Sequence, residues 1–309
     1  MIQLDIAKAT TKNSAALVAT VGFFDGVHIG HQHLIQQVKA ESKQLGLPAV
    51  VITFPMHPSQ VLQTDYQPML LCGYEEKIAK LSTTGIDYCI TLPFTRELSQ
   101  LTAKEFMHNV LKNKLNVHTL FVGYNHRFGR NREDDFSAYK QYGNNVGLRL
   151  IEATELQENN QNISSSRIRS LLKDGDIRTA NRLLSYHYTI SGQIIEGYQV
   201  GRTIGFPTAN IRAWEPYKVI PKLGVYAVLV HVQNAVYQGM LYIGKRPTLN
   251  YDSETSIEVN IFDFDDNLYN QPITVEFVDF IRDDVKFDSL EELKEQIYRD
   301  KEKVLSVLG

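Results

Sequence analysis

The sequence has few cysteines and no long apolar run. Its two cysteines, Cys72 and Cys89, are too few and too far apart for a disulfide framework or a four-cysteine zinc site. Residues 1–20 contain no apolar run of the signal-peptide type, and no later stretch approaches the roughly 20 apolar residues that cross a bilayer. We therefore expect a soluble, cytoplasmic protein with two buried thiols and no membrane partner.

The chain also lacks a surplus of positive charge, because 32 basic residues face 35 acidic ones and the net charge is −3. Binding to a nucleic-acid backbone depends on basic side chains that release counterions, so no nucleic-acid partner is expected. Small anions are still possible ligands of a locally basic site. With 309 residues, 43% of them hydrophobic, the chain is long enough for two domains that each bury a core.

Short apolar runs alternate with amphipathic segments in the first part of the chain. Residues 19–24 and 50–54 have the composition of strands, and residues 32–45 have helical periodicity. This alternation predicts a parallel sheet covered by helices. A capping box at residues 102–105 predicts the start of another helix. The polar residues 158–162 have nothing to bury and predict a mobile loop.

The first domain is expected to end near Leu184, and from Thr189 the pattern changes to period two. The clearest alternating segments are residues 224–232, 256–264 and 273–280. Such strands, separated by Gly, Pro, Asp and Asn clusters, predict an antiparallel barrel or sandwich. Ser289 and Glu292 predict a capping box for a closing amphipathic helix. We expect an α/β domain at residues 1–184 and a β-rich domain at residues 185–309.

The first candidate site is a strand, a glycine turn and a helix start that carries His28 and His31. Helix N-termini present free N–H groups, Gly30 lets the backbone approach closely, and imidazole N–H groups can donate to a triphosphate under attack. Positioning and charge stabilisation suffice for displacement at phosphorus. A metal site that also uses His33 and a purely structural role stay open as alternatives. Asp25 either forms the turn, orients a donor or meets Mg²⁺.

A second phosphate-binding element is predicted at residues 164–169, Ser-Ser-Ser-Arg-Ile-Arg. The serines can cap a helix while their N–H and hydroxyl groups meet phosphate oxygens, and Arg167 and Arg169 can bind phosphate with two nitrogens each. An ordinary capped helix is the alternative, and the residues alone slightly favour it.

The β-rich part contains a second candidate site in residues 201–210, Gly-Arg-Thr-Ile-Gly-Phe-Pro-Thr-Ala-Asn. The Thr208 hydroxyl and the Asn210 carbonyl, two residues apart on an extended segment, point to the same side. Hard oxygen ligands suit Mg²⁺ carried on nucleotide phosphates, although hydrogen bonding in a turn is the usual role of such residues. Glu258 lies on a strand face that the pattern alone predicts to be solvent-exposed.

Together these motifs resemble those of a known family. Residues 24–31, Phe-Asp-Gly-Val-His-Ile-Gly-His, look like the HxGH signature of the nucleotidyltransferase superfamily, in the form used by prokaryotic bifunctional riboflavin kinase/FMN adenylyltransferases (FAD synthetases). Blocks similar to that family follow in its order at residues 53–58, 123–129, 163–169, 207–210, 224–226, 243–248, 257–264 and 280–287. The resemblance implies a Rossmann-like nucleotidyltransferase domain with a parallel sheet, followed by an antiparallel six-stranded β-barrel with a terminal helix.

The resemblance also implies reactions and residue roles. The second domain would convert riboflavin and ATP to FMN and ADP, and the first would convert FMN and ATP to FAD and pyrophosphate, with Mg²⁺ as cofactor. Catalytic roles fall to His28, His31 and Glu258, the last as the general base for the ribityl hydroxyl. The residues implied to bind ATP or its phosphates are Gly22, Phe24, Gly30, Ser165, Arg169 and Gly201. Those implied to contact flavin or nucleotide are Asn125 and Arg282, and those implied to bind Mg²⁺ are Thr208 and Asn210.

The chain departs from the family's pattern at several positions. Phe23 replaces the usual Asn, Asn125-His126 replaces Asp-Phe, and Glu133 replaces Gly. In the second domain, Asn260 stands where His is common, and an Arg-x-Glu motif is shortened at residues 282–284. These changes leave open a chain with one surviving activity, the adenylyltransferase being at greater risk, or a flavin-binding regulator. The sequence does not predict the oligomeric state.

Overall fold

The computed structural model describes residues 1–6, 15–62, 69–124, 126–130, 133–158, 161–196, 205–245, 255–266 and 268–309. Its contacts divide the chain into two compact units, Met1–Ser165 and Ser166–Gly309. The domain boundary expected between residues 184 and 185 stays a prediction. Within the described ranges, no helix is long and apolar enough to span a membrane.

The first unit is built on a six-stranded parallel sheet with the strand order β1-β4-β3-β2-β5-β6. The strands are β1 Ile2–Asp5, β2 Leu17–Val21, β3 Ala49–Thr53, β4 Tyr88–Thr91, β5 Val117–Val122 and β6 Arg149–Glu152. All five residues of β3, Ala-Val-Val-Ile-Thr, are buried, as expected of a central strand covered on both faces. The predicted parallel sheet is confirmed, and β1 is an edge strand that the sequence pattern did not reveal.

Helices follow most of these strands. They are α1 Ile29–Leu45, α2 Pro58–Leu62, α3 Tyr74–Thr83, α4 Arg96–Ser99, α5 Ala103–Glu105 and α6 Phe136–Val146. The predicted capping box at α5 is present, because Thr102 Oγ1 accepts from the Glu105 N–H and the Glu105 carboxylate accepts from the Thr102 N–H. The helix then continues as a π-helix over Phe106–Lys112.

The prediction of a loop at residues 158–162 is wrong for the residues that the structure describes. Two short antiparallel strands pair there, β7 Gln157–Glu158 and β8 Gln161–Asn162. Backbone N–H and C=O groups pair without any apolar side chain, so the polar composition gave no indication of these two strands.

The second unit is a closed antiparallel barrel with the strand order β10-β13-β12-β11-β14-β9. Its strands are β9 Tyr188–Ile195, β10 Ala209–Ala213, β11 Gly224–Val232, β12 Ala235–Lys245, β13 Thr255–Ile261 and β14 Pro272–Asp283. Two helices precede it, α7 Ser165–Asp174 and α8 Ile177–Leu184. They join this unit because the Asn181 amide donates to Phe277 O at 2.8 Å and the Lys222 N–H donates to Leu172 O at 3.0 Å.

Helix α9, Leu290–Leu308, closes the chain and packs against the barrel. Ser289 Oγ caps it by accepting from the Glu292 N–H at 3.2 Å. The Glu292 carboxylate accepts from the Asp288 N–H at 3.4 Å instead of from Ser289, so only half of the predicted capping box forms. At the start of α9, therefore, the Ser289 side chain caps the Glu292 N–H, but the Glu292 carboxylate bonds to the N–H of the residue before Ser289.

An ion pair fastens α9 to strand β14. Arg282 Nε lies 2.8 Å and Arg282 Nη2 also lies 2.8 Å from Asp300 Oδ2, and Asp300 is only 3% exposed. Gln296 also donates to Asp300, at 2.8 Å. The guanidinium that was predicted to contact flavin or nucleotide is therefore already held by the terminal helix.

We expect Asp300→Asn to destabilise the protein, because the Arg282 guanidinium would lose its compensating charge in a mostly buried position. Breaking such a pair costs about 3–5 kcal/mol, and we expect the lower end because the Arg282 side chain is 20% exposed. Denaturant unfolding measures the loss. Glu295→Gln, which breaks the exposed pair with Arg299, is the control and should cost less than about 0.5 kcal/mol. Equal stabilities of the two variants would contradict this role.

Candidate active sites

The first candidate site lies at the carboxyl ends of the parallel strands. Strand β2 lies between β3 and β5, so the segments that follow β2 and β5 leave towards opposite sides of the sheet. In open α/β sheets, the crevice at such a switch point is where ligands bind. His28 and His31 follow β2, and His126 follows β5. The strand order therefore places the predicted residues His28 and His31 at the switch point of the sheet, where a ligand is expected.

His28 and His31 form a stacked pair at the start of α1. Their ring centroids are 3.7 Å apart with an interplanar angle of 16°. His28 is the N-cap residue of α1, and its Nδ1 accepts from the His31 N–H at 3.3 Å. Because Nδ1 is an acceptor, the neutral ring of His28 carries its proton on Nε2. The cap thus fixes which nitrogen of His28 is a donor.

His31 is held in its neutral form. Burial lowers its pKa well below the ordinary 6.5, and the positive charges of His28, His126 and Lys77 lower the pKa further. Its Nδ1 atom is buried and has no hydrogen-bond partner among the described residues. A buried, unsatisfied imidazole nitrogen at a helix N-terminus is suited to an anionic ligand.

The lowered pKa of His31 predicts a pH effect on stability. Below about pH 6.5 the unfolded chain binds a proton that the folded His31 does not, so acidification favours unfolding. We expect acidification from about pH 7.5 to 5.5 to lower the thermal stability of His31→Gln less than that of the wild type. His33→Gln, on the same helix, serves as the control. A difference in stability between the wild type and His31→Gln that does not change with pH would contradict the prediction.

Other predicted residues of this segment support the turn. Asp25 is 4% exposed, and its Oδ1 accepts from the N–H groups of Leu71 at 2.9 Å and Cys72 at 3.2 Å, which favours the turn role over contact with substrate. Ser165 Oγ donates to the Asp25 carbonyl oxygen at 3.0 Å. A Cβ at Gly30 would lie 3.2 Å from the His28 ring, so a larger residue would crowd the histidine.

Phe24 and Gly22 lie beside the histidine pair. Phe24 is 3% exposed and packs against the His31 ring at 5.1 Å, with a left-handed backbone of φ 57°. Such a conformation is strained for a bulky residue and is typical of functional loops. The Gly22 N–H donates to Ile52 O at 3.0 Å. Both residues thus shape the loop, and their contact with ATP stays a prediction.

A buried lysine beneath this loop was missed by the sequence reasoning. Lys77 is 1% exposed, its Nζ donates to Phe54 O at 2.7 Å, and it lies 3.8 Å from the centre of the Phe23 ring. Burial lowers its pKa to about 8, while the electrostatic influence of Cys72 and Asp25 opposes that shift. Helical periodicity was the available signal, because Lys77 lies one turn before the buried Leu81.

Three predicted ligand contacts, two in this domain and one in the second domain, stay predictions. Arg169 lies one turn after Ser165 on α7, and its Nη2 donates to Ser166 Oγ at 3.1 Å. Asn125 lies outside the described residues, as does Gly201 of the second site. Among the described residues, no three His, Cys, Asp or Glu side chains come together in a way that could hold a metal ion.

The second candidate site brings Thr208, Asn210 and Glu258 together. Asn210 of β10 lies directly opposite Glu258 of β13, and Thr208 Oγ1 donates to Glu258 Oε2 at 3.3 Å. Asn210 is 5% exposed and Glu258 is half-buried. The strand face that the pattern predicted to be solvent-exposed is thus partly covered.

The segment before Asn210 is fastened at two points. The Asn260 amide donates to Pro207 O at 2.7 Å, and Asn260 is itself 7% exposed. Phe206 is buried and contacts the Tyr298 ring of α9 at 4.9 Å. A cavity of about 310 Å³ adjoins Pro207 and Thr208. Ala209 and Val259 also line this cavity, whereas Asn210 and Glu258 do not, so Thr208 is the residue that the cavity and the polar cluster share.

Fold and sites together define a class of protein. A parallel α/β unit with a stacked histidine pair at a helix N-terminus is suited to nucleotide phosphates, and a closed barrel with a Thr-Asn-Glu cluster is suited to a metal-carried phosphate. The class is a two-domain transferase that uses nucleotides.

Comparison with known proteins narrows this class to one family. Residues 10–167 match the family model described as FAD synthetase, and residues 184–308 match the one described as riboflavin kinase. The bifunctional riboflavin kinase/FMN adenylyltransferase of Listeria monocytogenes is 38% identical over 289 residues, which cover 92% of this chain and 90% of the relative. The chain belongs to the bifunctional riboflavin kinase/FMN adenylyltransferase family.

Further relatives agree in extent and fold. The Bacillus subtilis protein of the same name is 36% identical over 298 residues, which cover 95% of this chain and 93% of the relative. A crystal structure from Streptococcus pneumoniae, named a macrolide-efflux protein, has a TM-score of 0.85 at 31% identity and covers 98% of both chains. The predicted family and the predicted fold class, including the barrel and its terminal helix, are confirmed.

Proposed function

We propose that the C-terminal domain phosphorylates riboflavin with ATP to FMN and ADP, and that the N-terminal domain adenylylates FMN with ATP to FAD and pyrophosphate. The domains would be residues 1–184 and 185–309, in keeping with a riboflavin kinase match that begins at residue 184. The observation that carries the proposal is the presence of two separate sites, a stacked histidine pair in one unit and the Thr208–Glu258 contact in the other. The proposed setting is the cytoplasm, where ATP is present and thiols stay reduced.

In the kinase step, Glu258 accepts the proton of the ribityl hydroxyl while the hydroxyl oxygen attacks the γ-phosphorus of ATP. The bond from that phosphorus to the β-phosphate oxygen breaks, and ADP leaves. The Thr208 hydroxyl, 3.3 Å from Glu258 Oε2, holds the carboxylate in place. A positioned general base of this kind contributes about 10²–10⁴-fold to the rate.

The donor set at this site fits Mg²⁺. Thr208, Asn210 and Glu258 bring hydroxyl, amide and carboxylate oxygens to one edge of the barrel, and hard oxygen ligands are what this ion prefers. Thr208 and Asn210 would hold it, and Gly201 would approach the phosphates. When bound, the ion supplies neutralisation of the charge on the nucleotide phosphates.

In the adenylyl transfer step, a phosphate oxygen of FMN attacks the α-phosphorus of ATP. The bond from that phosphorus to the bridging oxygen breaks, and pyrophosphate leaves. His28 and His31 donate hydrogen bonds to the phosphates and move no proton, because the attacking phosphate oxygen is already ionised near neutral pH. The other residues proposed for this site are Gly22, Phe24, Gly30, Asn125, Ser165 and Arg169.

The test is incubation of the purified chain with riboflavin, ATP and Mg²⁺, followed by chromatographic separation of the flavins. We expect FMN to form first and FAD to follow. FMN without FAD would leave only the kinase half of the proposal standing. A mixture in which riboflavin is unchanged would contradict the kinase half, and supplied FMN would then test the other half separately.

A further inference from the structure

A row of side chains crosses the barrel strands at the level of Glu258. Tyr242 of β12 lies directly opposite Glu258 on one side, and Asn210 of β10 lies opposite it on the other. Val225 of β11 then lies opposite Tyr242, and Arg282 of β14 lies opposite Val225. Directly opposed residues of an antiparallel pair project from the same face of the sheet. Tyr242 is therefore the neighbour of Glu258 on the side away from Asn210.

A glycine makes room for the Tyr242 ring. Gly244 lies two residues further along β12, on the same face of the strand. A Cβ at Gly244 would overlap the Tyr242 hydroxyl oxygen and the ring carbon that bears it. The ring thus lies along the strand above Gly244, packed beside the apolar cluster that includes Val225 and Val304 of α9.

A hydrogen bond fixes the far end of the ring. Tyr242 Oη donates to Asp284 Oδ1 at 3.0 Å. Burial, the hydrogen bond to Asp284 and the charges of Asp284 and Glu258 together raise the pKa of Tyr242 to about 12, against the opposing charge of Arg282. The phenol keeps its proton across the neutral range, and that proton is directed to Asp284. The ring is therefore fixed at both ends.

We propose that Tyr242 is a positioning residue of the kinase site and acts through Glu258. The proposal rests on the proposed function, because it requires Glu258 to be the general base. Thr208 holds the carboxylate by a hydrogen bond, and Tyr242 lies directly opposite Glu258. In this proposal the fixed ring of Tyr242 limits how far the Glu258 side chain turns away from Thr208. A general base that turns away from the ribityl hydroxyl is misplaced, and a misplacement of about 1 Å costs on the order of 100-fold in rate.

The first part of the test compares two substitutions of Tyr242. We expect Tyr242→Ala to lower kcat for FMN formation by about 10- to 100-fold while KM for ATP stays unchanged. Tyr242→Phe keeps the ring and loses only the bond to Asp284, so most of the rate should return. Conversion of supplied FMN to FAD, in the other domain, should be the same in both variants and reports that the first domain is intact, while a cooperative unfolding transition of the barrel, followed by denaturant, reports that the second domain is folded.

The second part uses Gly244→Ala, which displaces the ring without removing it. We expect the kcat of Gly244→Ala to fall as in Tyr242→Ala, and the double variant to fall no further, because both changes act through one ring. Multiplying losses in the double variant, or a wild-type kcat in Tyr242→Ala, would overturn the inference alone. A wild-type chain that forms no FMN would overturn the proposed kinase function and this inference with it.

Discussion

Glu258→Gln should abolish FMN formation and leave the conversion of supplied FMN to FAD unchanged. The substitution keeps the size of the side chain and its contact with Thr208, but an amide cannot accept the proton of the ribityl hydroxyl. We expect the rate of riboflavin phosphorylation to fall by about 10²–10⁴-fold, the range for a lost general base. Chromatography of the flavins formed from riboflavin and from FMN, in parallel reactions, measures both activities.

Glu276→Gln is the matched control for Glu258→Gln. Glu276 is also a half-buried glutamate on a barrel strand, but its carboxylate faces His187 and His231. We expect both activities to persist in this control. A folded Glu258→Gln variant that loses both activities would refute two independent sites, and one that phosphorylates riboflavin at the wild-type rate would refute the role of Glu258.

His28→Ala should have the second large effect, with FMN accumulating while FAD formation is lost. Removal of one preorganised donor to a transition-state charge costs about 10²–10³-fold in rate. The same substitution removes the N-cap of α1, which costs about 1 kcal/mol of stability. The two effects need to be separated, because a loosened helix start would also displace His31.

His28→Ser makes that separation, since serine can cap the helix and cannot replace the imidazole donor. We expect it to recover most of the stability lost in His28→Ala but none of the FAD synthesis. His33→Ala, on the same helix and hydrogen-bonded through its ring to Thr154, should synthesise FAD normally. Recovery of activity in His28→Ser would show that the imidazole serves only as a cap.

Most of the fold class could be predicted from local patterns. The alternation of apolar runs with amphipathic helices, and then the change to period two, predicted a parallel sheet followed by an antiparallel β structure, and both are present. Helix caps such as Thr102 with Glu105 could also be predicted, because both partners lie within one helical turn. The pairing of β7 with β8 could not be predicted, because it uses backbone groups and polar side chains such as Gln157 and Asn162 and buries no apolar residue.

The sites were predictable to the extent that their residues are close in sequence. The approach of His28 to His31 follows from their spacing at a helix start. The burial of Lys77 could not be predicted, because a charged residue in a helix is ordinarily exposed. Its burial is explained by the neighbouring loop. Arg282 was predicted to contact flavin or nucleotide. Its bond to Asp300, 18 residues later, could not be predicted because it depends on where α9 packs.

The sequence by itself determined the two architectures, the helix-start histidines and the Thr-x-Asn pair, because periodicity and spacing act between residues within a few positions. The tertiary structure alone decided that Glu258 faces Thr208 and Tyr242, and that His31 is neutral. These facts depend on strand register and on burial. Register and burial are set by contacts between distant segments, so no local pattern encodes them.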